Sequence, residues 1–474
     1  MQFECACSKK CGGCDYIGID YKDQLQKKTK YIQSLVGGFC KISPIIGMED
    51  PLYYRCKVTA TYTYLKNGSY ISGVYEKGTH RVVKVDDCLI TDSEANRIAV
   101  TIRDLLKSFK IKTFNEDTGY GLLRHVQIRV GKNTGQIMVI LVCSNPTFPG
   151  KNNFVKALRD IHPDISTVIL NINDKKTSMV LGDRNIVMYG RGYIEDELCG
   201  FRFKISPGSF YQVNPVQTEI LYNTAIEFAG LRGKETVMDA YCGTGTIGLI
   251  ASKYAKEVVS VELSKDAVRD AISNAKNNGV KNVRFHQADA TNYIRHLADS
   301  GEYKPDCIFM DPPRSGSTPE FIDAVKRLSP ARVIYVSCGP ESLGRDLKLF
   351  VKSGYKVKKI QPVDCFPFTR HIETVCLLSK LHEAKHHINV KVDMDELDLT
   401  SAEAKATYKE IEEWVQEHYG FHVTNLNIAQ VKQKHGIIER ENFNKPKSEN
   451  SRQPGCPEEK VKAIEEALKF FQMI

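Results

Sequence analysis

The sequence has no run of 18 consecutive apolar residues, so it predicts no membrane-spanning helix. Its first residues, Met-Gln-Phe-Glu-Cys, have neither the basic start nor the apolar stretch of a signal peptide. Internal repeats are also absent. These absences exclude a membrane-embedded or secreted protein and predict a cytoplasmic one.

The composition is that of a soluble globular protein, with 42% hydrophobic and 26% charged residues in a chain of 474. This length is sufficient for two or three domains with a substantial core. The chain contains 15 cysteines, which are not expected to form disulfides in a reducing compartment. Some of them are therefore candidates for metal binding or catalysis, and most of the others for core packing.

The net charge of +9 is unevenly distributed along the chain. Residues 1–380 contain 53 Lys and Arg against 40 Asp and Glu, a net +13, whereas residues 381–474 contain 13 against 17, a net −4. A basic body suits a polyanionic partner such as nucleic acid, although charge can also serve solubility alone.

Hydrophobic periodicity divides the chain into four predicted regions. Residues 1–45 form a cysteine-rich segment with an amphipathic helix, and 46–208 a mostly antiparallel β-rich domain. Strands and helices alternate over 209–382, which predicts a doubly wound α/β sheet whose last two strands form a hairpin. Residues 383–474 form an acidic helical extension, interrupted by a polar stretch at 442–457.

A glycine-rich turn follows the first strand of the α/β region. In "DAYCGTGTIGLIA" the glycines at 243, 245 and 248 form a G-x-G-x-x-G pattern, and Glu262 lies 19 residues after Gly243. Such a turn lets the backbone approach a nucleotide, and the acid accepts hydrogen bonds from a ribose. The pattern alone fits a dinucleotide-dependent dehydrogenase, an S-adenosylmethionine site or a structural turn.

Two further strands end in residues with reactive side chains. One ends in Asp311, followed by two prolines that make a rigid loop and by Arg314, where amino-methylating enzymes place an aromatic residue. Another, "RVIYVSC", ends in Cys338 before Gly-Pro, and Glu373 begins the last strand. A thiolate, a carboxylate base and a methyl donor at one edge can methylate C5 of uracil through addition to C6.

These residues resemble the RNA uracil-C5 methyltransferases. The blocks "SFYQVNPVQTEILY", "DAYCGTGTIG", "DPPRSG", "VSCGPESLGRDL" and "CFPFTRHIE" occur in the order of that family, and the resemblance covers about residues 1–380. It implies a class I methyltransferase sheet, Rossmann-like with an antiparallel last strand. It also implies RNA as partner and a monomer, with Cys338 as nucleophile and Glu373 as proton-abstracting base.

The resemblance further implies the residues that bind S-adenosylmethionine. These are Gln212, Tyr241, Gly243, Glu262, Asp289 and Asp311.

The amino-terminal cysteines have the spacing of a metal site. Cys5, Cys11 and Cys14 are followed far downstream by Cys88, a pattern that fits a zinc ion or a [4Fe–4S] cluster. The spacing does not distinguish the two, and Cys7 can compete with Cys5. Resemblance to the ribosomal-RNA branch of the family implies a [4Fe–4S] cluster.

The leading interpretation is therefore an enzyme that makes 5-methyluridine in RNA, with 23S ribosomal RNA as the expected substrate. Transfer RNA is the nearest alternative. A non-catalytic RNA-binding or RNA-remodelling protein on the same fold, and a dinucleotide oxidoreductase, are the rival classes.

Overall fold

The structure is a computed structural model that describes residues 3–381, 407–435, 437, 455–471 and 473–474. The chain divides into two compact units, Met1–Glu383 and Ala384–Ile474, each described by itself below. No helix among the described residues is long and apolar enough to cross a membrane. Most of the predicted polar interruption at 442–457 lies outside the described residues.

The first unit begins with the cysteine segment and helix α1, Tyr21–Val36, which Asp20 caps by accepting from the backbone N–H of Lys22. A seven-stranded sheet follows, in the order β3-β2-β1-β4-β5-β6-β7. All neighbours in it are antiparallel except β5 and β6, whose connection runs through a helix. The elements are β1 Lys57–Tyr64, β2 Tyr70–Tyr75, β3 Val82–Lys84, α2 Ser93–Ser108, β4 Leu123–Val130, β5 Ile137–Cys143, α3 Lys151–Ile161, β6 Ile165–Ile172 and β7 Arg184–Tyr189.

A short antiparallel hairpin and a second seven-stranded sheet complete this unit. The sheet order is β12-β11-β10-β13-β14-β16-β15, parallel except that β16 runs antiparallel between β14 and β15. The elements are β8 Ile194–Leu198, β9 Phe201–Ile205, α4 Pro215–Ala229, β10 Thr236–Asp239, α5 Thr246–Ser252, β11 Glu257–Glu262, α6 Lys265–Asn277, β12 Val283–Gln287, α7 Ala290–Ser300, β13 Cys307–Met310, α8 Pro319–Leu328, β14 Arg332–Ser337, α9 Pro340–Lys352, β15 Tyr355–Val363 and β16 Glu373–Lys380.

Helices cover both faces of the second sheet, so its central strands are buried on both sides. Every residue of β13 is buried, as are five of the six in β14. One core lies on the face covered by α1, α7, α8 and α9, and another on the face covered by α4 and α5. The predicted reactive residues lie at the carboxyl ends of the parallel strands.

The described residues of the second unit form three helices with a core of their own. They are α10 Tyr408–Tyr419, α11 Asn425–Lys434 and α12 Glu458–Phe470. Thr407 and Thr424 each cap the following helix through a reciprocal capping box. Nine buried residues, among them Ile411, Val431 and Leu468, form the core. The predicted helical character of this extension agrees with these helices, and the predicted domain boundaries remain a prediction.

Candidate active site

The carboxyl edge of the second sheet brings most of the predicted site residues to one place. Strands β10, β11, β13 and β14 are parallel, so their ends meet at this edge. Strand β16 is antiparallel to β14, and therefore its first residue, Glu373, lies at the same edge. Register pairs Ser337 with Thr374, which places Cys338 beside Glu373 across the ends of the two strands.

The glycine-rich turn has a backbone that only glycine adopts readily. Gly243 and Gly245 have φ of +54° and +84°, in the left-handed region. A Cβ on Gly248 would lie 2.5 Å from the Ser260 hydroxyl oxygen, so glycine is required there to let α5 approach β11. The backbone N–H of Gly243 donates to Glu262 Oε2 at 3.1 Å, which holds this carboxylate against the turn.

Four of the six predicted cofactor residues line one small cavity. Gln212, Tyr241, Gly243 and Asp311 line a partly open cavity with a volume of about 40 Å³. The side-chain amide of Gln212 donates to the Tyr222 hydroxyl at 3.5 Å. Glu262 adjoins this group through its bond to Gly243 and does not itself line the cavity.

Asp289, the remaining predicted cofactor residue, stands apart from the cavity lining. Its side chain is exposed and accepts from the backbone N–H of Asn292 at 2.9 Å, which caps α7. The carboxylate therefore already has a structural role at the helix start.

Cys338 and Glu373 share an electrostatic environment with Asp311 and Arg314. Burial, followed by the charges of Glu373 and Asp311, raises the pKa of Cys338 to about 11, and Arg314 opposes this shift. Burial and the charge of Asp311 raise the pKa of Glu373 well above its usual 4.5, and Arg314 again opposes the shift. Burial raises the pKa of Asp311 to about 7. The free site thus favours a neutral thiol and a neutral glutamic acid.

The sequence reasoning gave Arg314 no role in the site and did not consider Asp239. Arg314 provides the positive charge that opposes the rise in the pKa of both Cys338 and Glu373. Asp239, at the end of β10, is fully buried, and its Oδ1 has no hydrogen-bond partner among the described residues, while its Oδ2 accepts from Gly248 N–H at 2.8 Å. The signal for Arg314 was its place directly after Pro-Pro, and for Asp239 its place at a strand end.

The predicted cysteine ligands lie around a second cavity, with a volume of about 640 Å³. Burial, followed by the neighbouring Cys88, raises the pKa of the Cys14 thiol to about 12. The Cys7 thiol donates to the Lys84 carbonyl at 3.2 Å. All of these cysteines are free thiols, and they line the cavity together: Cys5, Cys7, Cys11, Cys14 and Cys88.

No three His, Cys, Asp or Glu side chains within the described ranges are close enough together to hold a single metal ion. The thiols around this cavity are nevertheless of the kind that binds iron or zinc in proteins.

Comparisons with known proteins identify the family. Residues 20–381 match the family model described as tRNA (Uracil-5-)-methyltransferase. The chain is 42% identical over 381 residues to an uncharacterised RNA methyltransferase of Caldanaerobacter subterraneus subsp. tengcongensis, which covers 80% of this chain and 84% of that protein. It is 41% identical to an uncharacterised RNA methyltransferase of Clostridium acetobutylicum, with 80% and 83% covered. The chain belongs to the tRNA (uracil-5-)-methyltransferase family.

A solved structure resembles this family member over most of its length. It is the tRNA (uracil-54, C5)-methyltransferase of Pyrococcus abyssi in complex with S-adenosyl-L-homocysteine, with a TM-score of 0.66 and 25% identity. The likeness covers 77% of this chain and 86% of the archaeal one. The family and the class I methyltransferase fold predicted from the sequence are both confirmed. The second unit lies beyond the residues that match the family.

Proposed function

We propose that the protein transfers a methyl group from S-adenosylmethionine to C5 of a uridine in RNA. The observation that carries this proposal is the placement of Cys338 and Glu373 side by side at the ends of β14 and β16. A buried thiol beside a buried carboxyl, with Arg314 opposing the rise of both pKa values, is the arrangement that addition and elimination at one uracil require.

The proposed reaction uses each of these side chains once. The Cys338 thiolate forms a bond to C6 of uracil, and the electrons of the C5–C6 double bond make C5 nucleophilic. C5 then takes the methyl group, which S-adenosylmethionine supplies as an electrophile when it is bound. Glu373 removes the proton from C5, the double bond re-forms, and the bond between Cys338 and C6 breaks. The Cys338 thiolate is recovered unchanged, the C5 proton ends on the Glu373 carboxylate, and the donor would leave as a neutral thioether, so Cys338 acts as a covalent catalyst.

The residues around the glycine turn would hold the methyl donor. Glu262, whose carboxylate accepts from the backbone N–H groups of Gly243 and Ser264, would also accept from ribose hydroxyls, and Asp311, Gln212 and Tyr241 line the adjoining cavity. A cationic sulfonium near Asp311 favours the ionised forms of both Cys338 and Glu373. Donor binding therefore opposes the burial that keeps these groups neutral in the free protein.

Cys5, Cys11, Cys14 and Cys88 would hold a [4Fe–4S] cluster, in which the thiolates are the iron ligands. Its role would be to fasten the amino-terminal segment to the first sheet, because Cys88 lies just after β3. No step of the methyl transfer requires it.

The RNA class is the finer part of the proposal. The cysteine pattern favours 23S ribosomal RNA, as expected from the sequence. Transfer RNA is the second candidate, and the observation that favours it is the likeness to the Pyrococcus abyssi tRNA (uracil-54, C5)-methyltransferase.

Mapping of 5-methyluridine in ribosomal and transfer RNA from cells with and without the protein distinguishes these candidates. Loss of 5-methyluridine from 23S RNA alone supports the first, and loss from tRNA alone supports the second. Unchanged 5-methyluridine in both, together with no methyl transfer by the purified protein, would refute the proposed activity.

A further inference from the structure

The loop between β15 and β16, residues 364–372, leads directly into Glu373 and contains no helix or strand. Its backbone is nevertheless held at each of five successive carbonyl groups. Gln217 donates to the carbonyl of residue 364, Asn214 to that of 365 and Tyr54 to that of 367, each at 3.0 Å. The remaining two carbonyls, of residues 366 and 368, are held by α1 and by the segment after the cysteines.

Helix α1 contacts this loop through three side chains on one face. Lys28 Nζ donates to Asp364 Oδ1 at 2.6 Å and to the carbonyl of Phe366 at 3.0 Å, and the Tyr21 hydroxyl donates to Asp364 Oδ2 at 2.9 Å. Gln24 Oε1 accepts from the backbone N–H of Phe368 at 3.0 Å. The side chains of Lys28 and Asp364 are both fully buried.

The segment that follows the predicted cluster ligand Cys14 also makes hydrogen bonds to the 364–372 loop. The backbone N–H groups of Asp15 and Tyr16 both donate to the carbonyl of Phe368 at 2.9 Å. Asp15 Oδ2 accepts from the N–H of Arg370 at 3.0 Å. Phe368 has φ of +65°, a left-handed conformation that a side chain this bulky rarely adopts, so these contacts keep the loop in a conformation it would otherwise leave.

A buried ion pair is a costly way to hold a loop, since both charges lose their hydration. Burial lowers the pKa of Lys28, and the adjacent Asp364 opposes that shift. An apolar pair could fill the same space, but it would not fix the direction of the Asp364 and Phe366 backbone. The Lys28–Asp364 pair therefore fixes the direction of the loop backbone. Because this loop leads into β16, its direction also sets the position of Glu373.

We propose that Lys28 and Asp364 are positioning residues that, together with Asp15, set the place of Glu373 for removal of the C5 proton. The inference rests on the proposed function. It predicts a defect centred on one step, because Cys338 directly follows β14 and lies outside the loop. Addition to C6 and methyl transfer should proceed, and proton removal with release of Cys338 should become slow.

The test measures the covalent enzyme–RNA adduct on ordinary uridine-containing RNA, in full-length protein, by denaturing gel and mass spectrometry. Wild-type protein should show little adduct because release is fast. Lys28→Met and Asp364→Asn should accumulate the methylated adduct and release it about 10- to 100-fold more slowly, as expected for a displaced catalytic group. Donor binding should be unchanged. Rapid release by both variants would overturn the proposal.

The double variant Lys28→Met/Asp364→Asn separates positioning from stability. Each single variant strands a buried group, which lowers the melting temperature, whereas the double variant removes both charges and should recover part of that loss. The adduct should still accumulate in it. If release returns to the wild-type rate as stability recovers, the ion pair is merely structural and the inference fails.

Asp15→Ala removes the acceptor for Arg370 and keeps both backbone N–H donors, so it should fold and slow release more mildly. The matched control is Glu116→Gln, which breaks the ion pair of Glu116 with the buried Arg124 in the first sheet and should not accumulate adduct. Failure of the proposed function is recognised separately. In that case neither wild-type protein nor any variant forms a Cys338-dependent adduct, even with RNA containing 5-fluorouridine.

Discussion

The carboxyl edge of the second sheet and the cysteine cavity hold their reactive side chains in different ways. Cys338 and Glu373 sit at the ends of paired strands, so backbone hydrogen bonds fix their relative position. The amino-terminal cysteines lie in a segment without helix or strand, where Cys11 makes one isolated bridge to Glu76. Strand pairing therefore sets the positions of Cys338 and Glu373, together with the side chains that hold the loop before Glu373, whereas the described part of the cysteine segment has no regular strand pairing.

Replacing Cys338 should abolish methyl transfer and leave the fold of the sheet edge unchanged. We expect Cys338→Ala to reduce methyl transfer below detection, because the thiol beside Glu373 is the proposed nucleophile for C6. Covalent trapping by RNA containing 5-fluorouridine should disappear, since fluorine at C5 traps only an adduct that has formed. S-adenosylmethionine should still raise the melting temperature.

The control for this variant is Cys40→Ala, a partly buried cysteine outside both regions, which should retain turnover and trapping. Methylation by Cys338→Ala, or a nucleotide found on Cys242, Cys307 or Cys365, would show that the nucleophile is assigned wrongly.

Glu373→Gln keeps the shape of the side chain and removes the base. Turnover should fall by about 10²–10⁴-fold, the usual contribution of a positioned general base. The adduct with ordinary RNA should accumulate because Cys338 can add and cannot leave. Rapid-quench kinetics followed by denaturing gels measure both effects, and normal turnover of this variant would contradict the assignment.

The stability of the cysteine cavity should depend on bound metal, whereas the stability of the sheet edge should not. Anaerobically purified protein is expected to be brown and to contain about four iron atoms per chain. Cys14→Ser should lose the iron and lower the melting temperature, whereas Cys7→Ser, whose thiol bonds the Lys84 carbonyl, should retain the iron. Elemental analysis and visible absorption provide the measurement. Stoichiometric zinc without iron would refute the cluster.

The affinity for S-adenosylmethionine tests the predicted donor-binding residues individually. Asp311→Ala and Glu262→Ala should each weaken S-adenosylmethionine binding by about 1.5 to 3 kcal/mol, the range for hydrogen bonds to charged groups. Asp289→Asn should have a smaller effect because this exposed carboxylate caps α7. Isothermal titration calorimetry gives the dissociation constants, and a comparable response to NADH would instead support an oxidoreductase.

The smallest expected effect is the pH dependence of stability. The folded protein raises the pKa of Glu373 above its usual 4.5, so between these two pKa values the folded state binds more protons than the unfolded state. Its contribution is therefore present below about pH 4.5 and is lost as pH rises. Glu373→Gln should melt at a higher temperature than wild type near neutral pH, with the difference shrinking toward pH 4.5. A difference independent of pH would argue against a buried, neutral Glu373.

Elements with strong periodicity and clear caps could be predicted from the sequence. The sequence predicts alternating strands and helices over 209–382, and α6 Lys265–Asn277 and α8 Pro319–Leu328 are among the helices found there. Strands β8 and β9 carry charged residues between their apolar ones, which weakens the pattern from which a strand is predicted. Strand β9, Phe201–Ile205, nonetheless alternates buried and accessible residues, the pattern of a half-buried strand.

The site was predictable where it depends on strand ends and not where it depends on distant contacts. Cys338 and Asp311 each follow a hydrophobic strand, which places them at the sheet edge by topology. The pair of Lys28 with Asp364 spans 336 positions, and no local pattern marks it. A lysine on an amphipathic helix is expected to be exposed, so the burial of Lys28 becomes evident only from the folded structure.

The hydrogen bond between Asp15 and Arg370 joins residues 355 positions apart. During synthesis the amino-terminal cysteines emerge first, and their neighbours can make no contact with the loop before Glu373 until nearly all of the first unit has been made. Contact between the Asp15 segment and the loop before Glu373 is expected to form late and slowly, because non-local contacts must overcome the entropy of the intervening chain. A nascent chain that ends before residue 364 thus lacks its base and leaves its thiols uncovered, so catalytic competence arrives only with the last strands.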